Sequence, residues 1–562
     1  MRRALCVLAL CLLTCSTMVI GCASLPRTAP PHTDTSPSPA HAALAPIITD
    51  QETGQPIAGA EVSLHTGETG VTNAAGYVEF RNLVLGVRGI TVKATGYHDA
   101  FFSLEAFTSN TQVPIAMAPL VPDPPAPPPA SVAQWMGPWR GRLSVPSDGR
   151  CFVDETGQCQ LPLMAHFMEA FSAYVRRPAE VEAQLQTIKA AGYDGIRFLD
   201  TLGYYDNAWG GREVMPWRFT NRSGRSIDAT SGYYEQLKAF LGVLKRLGLV
   251  AHHSRGDLNG RALDQVVQHA ERVAQIYDDI GWSTLALFEG NNEDFQNGDF
   301  GADGLRKIVE PAKRRGAVVA SSCPAGCTEE RADVLAYSRG FSVRYYHGHR
   351  PGLPTDRLRH IFSTTREQPE GSPRLAWEGE PTGPNQFPGP GVTVDHTEDP
   401  EELALLAFNR WLARGAWTYM SQYGVFWNGR IERHAGFHAV PGMRGILKAF
   451  APDVMAWPTV THGGAPDTAL TSPTGYFGDP GVTSGPARIE MAIRGDRRRF
   501  VATVHGGRGP RAIKNVLGCR LDLTVVAVNP DETIRIDAVT LEPNATLAID
   551  YRVGRALLGA CR

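Results

Sequence analysis

The sequence predicts a multidomain protein: a (β/α)8 TIM barrel, preceded by a small β-sandwich and followed by a C-terminal antiparallel β-sandwich. Three observations predict it. Two Pro-rich stretches, 22–45 and 121–134, isolate a short segment with β character. The middle of the chain then alternates eight apolar strand-like runs with helical stretches, the period of a barrel domain. After residue 458 the pattern returns to apolar-polar alternation. A length of 562 residues fits several domains.

The first 21 residues read as a signal peptide: Arg2 and Arg3, an uncharged apolar run from Ala4 to Ile20, and a small residue before Cys22. The stretch Val19-Ile20-Gly21-Cys22 resembles the bacterial lipobox, which implies lipidation of Cys22, a membrane partner through that lipid, and a place in the cell envelope. Ala23 in place of Asp favours the outer membrane or the cell surface. Net charge is −2, and nothing in that balance calls for nucleic acid. Once Cys6, Cys11, Cys15 and Cys22 are set aside, Cys151, Cys159, Cys323, Cys327, Cys519 and Cys561 remain. An even number outside the cytoplasm reads as disulfides, with nearest-neighbour pairing the simplest scheme and connectivity open. A zinc site at Cys323-x-x-x-Cys327 is the rival, without a second ligand pair nearby.

Residues 46–120 carry short β-type stretches, Val78–Phe80 and Gly89–Ala94 among them, separated by Gly-rich turns. The segments 53–62, 72–80 and 90–97 resemble the carboxypeptidase regulatory-like family, which implies a transthyretin-like β-sandwich without catalytic residues.

The barrel, 135–458, takes its strands from Leu161–Phe167, Gly195–Leu199, Leu249–His253, Thr284–Phe288, Ala317–Ser321, Phe341–Tyr346, Arg374–Trp377 and Ala416–Met420. Helices are expected over 179–191, 233–247, 262–280, 304–314 and 400–414. An open doubly wound sheet is the alternative, weakened by the lack of a G-x-G-x-x-G opening a helix. The tail, 459–562, offers strands at 488–493, 499–504, 521–528, 533–536 and 546–551.

Barrel chemistry sits where strands end at their C-terminal side. The fourth strand ends L-A-L-F-E-G-N-N-E-D-F and the seventh R-L-A-W-E-G-E-P-T-G, so carboxylates follow an apolar run at both. Asn292-Glu293 after the fourth strand and Glu380 after the seventh resemble glycoside hydrolase clan A. The resemblance implies a retaining glycoside hydrolase on an extracytoplasmic oligo- or polysaccharide, with Glu293 as acid/base and Glu380 as nucleophile. Asn292, Arg197, His253, Tyr346, Trp427 and Asp257 would bind substrate, and no metal or cofactor is implied. Two carboxyls about 5 Å apart suit this chemistry, one attacking as an anion and the other giving its proton to the leaving oxygen. Strand parity does not separate Glu289 from Glu293, or Glu378 from Glu380. Position nearer the mouth favours the later member of each pair. His252 is the alternative to His253, Tyr345 and His347 flank Tyr346, and Asp200 sits at a strand end. Trp209, Trp217 and Tyr204 are candidate stacking residues. No G-x-S-x-G and no H-E-x-x-H motif occurs. The reading from another class is a non-catalytic glycan-binding lipoprotein on the same barrel.

Overall fold

The computed structural model describes residues 41–50, 53–64, 67–84, 86–97, 100–107, 111–117, 139–203, 213–220, 226–322, 338–346, 373, 375–379, 399–420, 431–462, 477–478, 488–496, 498–505, 511–515 and 519–562. It is a multidomain TIM barrel with flanking β-sandwiches. Eight parallel strands form the barrel sheet: β1 (Leu163–His166), β2 (Gly195–Leu199), β3 (Val250–Ser254), β4 (Leu285–Glu289), β5 (Val319–Ala320), β6 (Arg344–Tyr346), β7 (Ala376–Glu378) and β8 (Gly415–Tyr419). β1 pairs with both β2 and β8, which excludes the open doubly wound alternative. The seam between β5 and β6 is bridged by Ser342, whose backbone N–H donates to Val319 O at 2.8 Å and whose Oγ accepts from Val319 N at 3.0 Å.

Every residue of β2, β3, β4 and β8 is buried, as expected of parallel strands covered on one side by the lumen and on the other by helices. The helices of the barrel region are α1 (Ala170–Tyr174), α2 (Pro178–Ala191), α3 (Tyr233–Leu247), α4 (Leu263–Ile280), the single turn α5 (Asp294–Asn297), α6 (Gly301–Arg314), α7 (Pro400–Leu412) and α8 (Ala439–Phe450). α2 shows why they form where they do. Pro178 begins it, where a missing N–H costs nothing, and Val181, Leu185 and Ile188 bury one stripe. Gly192, at φ 99°, ends it in a left-handed turn whose N–H returns to the last carbonyls. Arg444 of α8 ties this corner down through Asp194, Leu161 O and Gly192 O, so a buried ion pair fastens the start of β2 to the last barrel helix.

The front module has a core of its own. One sheet holds Phe80–Val84, His41–Asp50 and Thr111–Met117; the other holds Thr69–Val71, Glu61–Leu64, Gly86–Lys93 and Ala100–Phe107. Its first strand starts at His41, inside the stretch read as linker, because Ala42 and Leu44 pair with Leu83 and Phe80 and Leu44 is fully buried. Tyr77 makes only an isolated bridge to Ile47, so the strand expected at 78–80 begins at Phe80 instead.

The tail is a six-stranded sheet (Thr459–His462, Arg488–Ile493, Arg499–His505, Gly554–Cys561, Leu521–Val528, Ile534–Leu541) with a three-stranded one (Phe477–Gly478, Arg511–Asn515, Thr546–Ile549). Cys151–Cys159 and Cys519–Cys561 are disulfides. Cys323 and Cys327 lie outside the described residues, as does Cys22. The tail is joined to the barrel rather than appended to it. Val501, Val526, Val528, Ala556 and Leu558 belong to the same apolar core as the barrel helices. Glu532 reaches from a tail turn to the open start of α8, where its carboxylate accepts from the N–H groups of Gly436 (2.9 Å), His438 (2.6 Å) and Ala439 (3.1 Å). A carboxylate there satisfies orphan donors and meets the positive end of the helix. Glu532→Ala is therefore expected to destabilise the barrel-tail unit by about 1–2 kcal/mol, read as a lower urea midpoint at unchanged slope.

Candidate active site

Strand alternation decides which side chains enter the lumen. In β2 Arg197 points in, and Phe198 points out against Phe240 of α3. In β3 the inward residue is His252. In β4 it is Glu289, in β6 Tyr345 and in β7 Trp377. These residues meet. Arg197 Nε donates to Glu289 Oε2 at 3.1 Å, and Nη2 donates to Oε2 at 3.1 Å and Oε1 at 3.2 Å. His252 Nε2 lies 2.9 Å from Oε2, and Tyr345 Oη donates to the same oxygen at 3.0 Å. Because an ionised carboxylate only accepts, His252 carries its proton on Nε2 here. Arg197 Nη1 faces His166 Nδ1 of β1 at 3.3 Å, and Trp377 packs edge-on to His252 and donates its indole N–H to Thr418 of β8.

The same guanidinium holds the motif that follows β4. Arg197 Nη2 donates to Asn292 Oδ1 at 2.6 Å. A guanidinium has no acceptor, so the amide oxygen must face it and the Nδ2 donor is turned away. The Asn292 N–H donates to Arg255 O and its carbonyl accepts from Asn297 Nδ2, both at 2.8 Å. Glu293 follows, half-buried, with φ 45° and ψ 63°, and leads into α5. A left-handed backbone is costly for a glutamate and persists only where neighbours enforce it. Here Ser322, just past β5, enforces it: its Oγ accepts the Glu293 N–H at 2.5 Å and donates to Asn291 O at 2.8 Å.

The two ambiguous carboxylate pairs now differ in surroundings. Glu289 is fully buried and fixed by three side chains, so it is an anchored ion. Glu378 points out of the barrel, where it pairs with Arg410 of α7. Gly379 continues from it, with its N–H on Tyr346 O at 2.9 Å. A Cβ at Gly379 would stand 1.8 Å from Tyr345 Oη, so glycine is required where the chain crosses that hydroxyl. Glu380 and Trp427 fall outside the described residues, as do His347, Tyr204 and Trp209.

Two expected binding residues are corrected by one position each. His253 does not enter the lumen: its Nε2 meets Asp200 Oδ2 at 2.8 Å and its Nδ1 meets Tyr277 of α4 at 2.9 Å, all buried between sheet and helices. His252 takes the lumen position. Tyr346 likewise lies outside, its ring 5.1 Å from the Arg410 guanidinium, and Tyr345 is the inward residue. Asp257 lies in the loop after β3, nearly buried, and accepts from Asn259 N at 3.2 Å and Nδ2 at 3.0 Å. Trp217 packs on His269 and Arg261.

Outside the lumen, Asp200 also receives His269 Nε2 at 3.0 Å, and Tyr234 Oη lies 3.1 Å from His269 Nδ1. Burial pushes the Asp200 carboxyl up, but the facing His269 and His253 outweigh it and hold it well below the usual carboxylate range. Burial lowers both imidazoles from the ordinary 6.5, against the pull of Asp200. Burial likewise lowers His434, to about 4.

No protein-family model matches this chain, and no curated protein matches it in sequence. Solved structures do resemble it. A protein described as a candidate glycoside hydrolase from Bacteroides vulgatus superposes with TM-score 0.52 at 12% identity, covering 93% of this chain and 99% of that one. A glycoside hydrolase family 5 protein from the same organism gives 0.50 at 12%, covering 75% and 94%. A third structure, described as a glycoside hydrolase, gives 0.50 at 11%, covering 75% and 97%. At such identities the likeness establishes the fold.

A buried histidine held neutral binds fewer protons folded than unfolded, and a depressed carboxyl does the same at lower pH. Both therefore make stability fall as pH drops. Thermal unfolding should show a constant midpoint between pH 6.5 and about 8, where buried Lys448 begins to titrate, and a declining one below pH 6.5, beginning with His253, His269 and His434 and steepening below pH 3.8 as Asp200 of the unfolded chain takes up its proton. His253→Gln with His269→Gln should flatten the first part of that decline.

Proposed function

We propose that this protein is a retaining glycoside hydrolase, with Glu293 as the acid/base and Glu380 as the nucleophile. The observation that carries the reading is the hydrogen-bonded set Arg197–Glu289–His252–Tyr345–Asn292, which holds Asn292-Glu293 at the mouth end of β4. Glu289 and Glu378 are committed to Arg197 and Arg410, and Asp294 accepts from Asn291 Nδ2 and the Gly301 N–H, so each strand end has one acid left for chemistry. For β7 that is Glu380, bonded to the glycine that crosses Tyr345. The fold shared with glycoside hydrolases supports the same reading.

In this mechanism the Glu380 carboxylate attacks the anomeric carbon while Glu293 protonates the departing oxygen, leaving a glycosyl ester on Glu380. Glu293, now ionised, takes a proton from water as that water attacks the ester, which restores both carboxyls. Asn292, with its oxygen on Arg197, offers Nδ2 to the sugar 2-hydroxyl, a contact that tightens as the oxocarbenium ion forms. The substrate is an oligo- or polysaccharide outside the cytoplasm. Lipid on Cys22 holds the chain in the envelope, and the front module, a carboxypeptidase regulatory-like sandwich, serves as spacer.

Glycosides with poor and good leaving groups separate the two acids. Glu293→Gln should lose about 10²–10⁴-fold on an oligosaccharide and much less in the first step on a 2,4-dinitrophenyl glycoside, which leaves without a proton. Glu380→Gln should lose both activities. Full activity in both variants sinks the assignment, and glycan binding by the wild type with no reducing ends released makes the barrel a binding module. Cys22→Ser should move the protein from the membrane pellet to the soluble fraction; an unchanged distribution rules the anchor out.

A further inference from the structure

We infer that Glu289 is a positioning residue that acts through Arg197 on Asn292, and so sets how strongly the site depends on a sugar 2-hydroxyl. The inference deepens the glycoside hydrolase reading and rests on it. Glu289 does not touch substrate, being fully buried beneath the mouth. Its influence has one short route. Arg197 Nη2 is shared between Glu289 (3.1 and 3.2 Å) and Asn292 Oδ1 (2.6 Å). The planar guanidinium is fixed on the Glu289 side by Nε as well, so its remaining N–H direction at Asn292 is set by the carboxylate. That direction selects the Asn292 amide orientation, with oxygen in and Nδ2 out. Without the charge, Arg197 is no longer held in one plane, and the amide is free to present its oxygen to the cleft. An acceptor facing the sugar still hydrogen-bonds a hydroxyl in the ground state. What it loses is a donor fixed in advance toward the 2-oxygen, which is worth most where charge develops at the neighbouring carbon. The loss therefore falls on kcat rather than on KM.

His252 Nε2 and Tyr345 Oη hold the other side of the carboxylate, at 2.9 and 3.0 Å from Oε2. They come from β3, which pairs with β4, and from β6, so the orientation of Asn292, just past β4, is fixed by side chains of other strands. Glu289, the last residue of β4, is thus distinct in role from Glu293, which follows that strand.

The experiment compares matched aryl glycosides, the 2,4-dinitrophenyl glycosides of glucose, mannose and xylose in both anomers, with the 2-deoxy analogue of whichever the wild type cleaves. Glu289→Gln should lower kcat about 10²-fold on the 2-hydroxyl substrate, with KM little changed, and only a few-fold on the 2-deoxy one. Asn292→Ala should show the same selectivity, and the double variant should lose little beyond Asn292→Ala alone, since both changes remove one interaction. Tyr345→Phe takes one hydrogen bond from Glu289 and keeps the ion pair; it should show the same split with smaller size, and it serves if Glu289→Gln does not fold. Equal losses on both substrates, or additive losses in the double variant, overturn the inference and leave the glycoside hydrolase reading standing. A wild type that cleaves none of the panel and releases no reducing ends from oligosaccharides overturns both.

Discussion

A guanidinium and a carboxylate buried together inside the barrel join inward-facing side chains of five strands into one set. Neither Arg197 nor Glu289 reaches water. Removing either partner would strand a buried charge, a cost of about 3–5 kcal/mol, so the pair tolerates little displacement of the strands that carry it. It must satisfy most of its hydrogen bonds internally, and it does so with groups from β1, β3 and β6. Register between those strands is therefore fixed by polar geometry as well as by packing. The ordering of Asn292 follows from it, and Ser322 then holds the backbone of Glu293.

Polar residues occupy both faces of β3, and Asp200 follows β2 on the outer side, which is unusual for strands buried on two sides. Inside, Arg197 and His252 serve Glu289; outside, His253 and Asp200 form a second network with His269, Tyr277 and Tyr234. The outer network is self-consistent with neutral imidazoles. Each ring donates from Nε2 to the carboxylate and accepts at Nδ1 from a tyrosine hydroxyl, so two histidines and one anion are buried with one net charge. The Arg255 guanidinium lies 4.4 Å over the Phe288 ring beside them, where its charge favours the ionised Asp200.

Much of this was legible in the residues, and the misses have a common cause. The helix over 233–247 and the strand over 195–199 stand where periodicity and flanking glycines put them. Arg197 and the Asn292-Glu293 motif were singled out through the resemblance to glycoside hydrolase clan A, and the structure joins Arg197 to Asn292 by a hydrogen bond. His252–His253 and Tyr345–Tyr346 were different, because two identical neighbours carry no chemical asymmetry and only the pairing register says which one faces inward. The register sets His252 beside Arg197 and Leu287, and His253 beside Phe198 and Phe288, but that is knowledge of three strands at once. The strand Gly554–Cys561 was missed because G-R-A-L-L-G-A-C lacks alternation. It is a central strand by virtue of partners on both edges, and Gly559 is needed where the Phe500 ring lies across it. Helix α8 carries a proline and two glycines, and its start is completed by Glu532, about a hundred residues later in the chain.

The contact between Glu532 and α8 also bears on where this chain divides as heritable units. The front module closes its own core, so it is suited to loss, gain or exchange between genes without cost to its neighbour. The tail contributes side chains to the barrel core and a carboxylate to a barrel helix. A recombination point near residue 458 would break that core and leave helix donors open. Barrel and tail are thus expected to be inherited, expressed and redesigned as one piece.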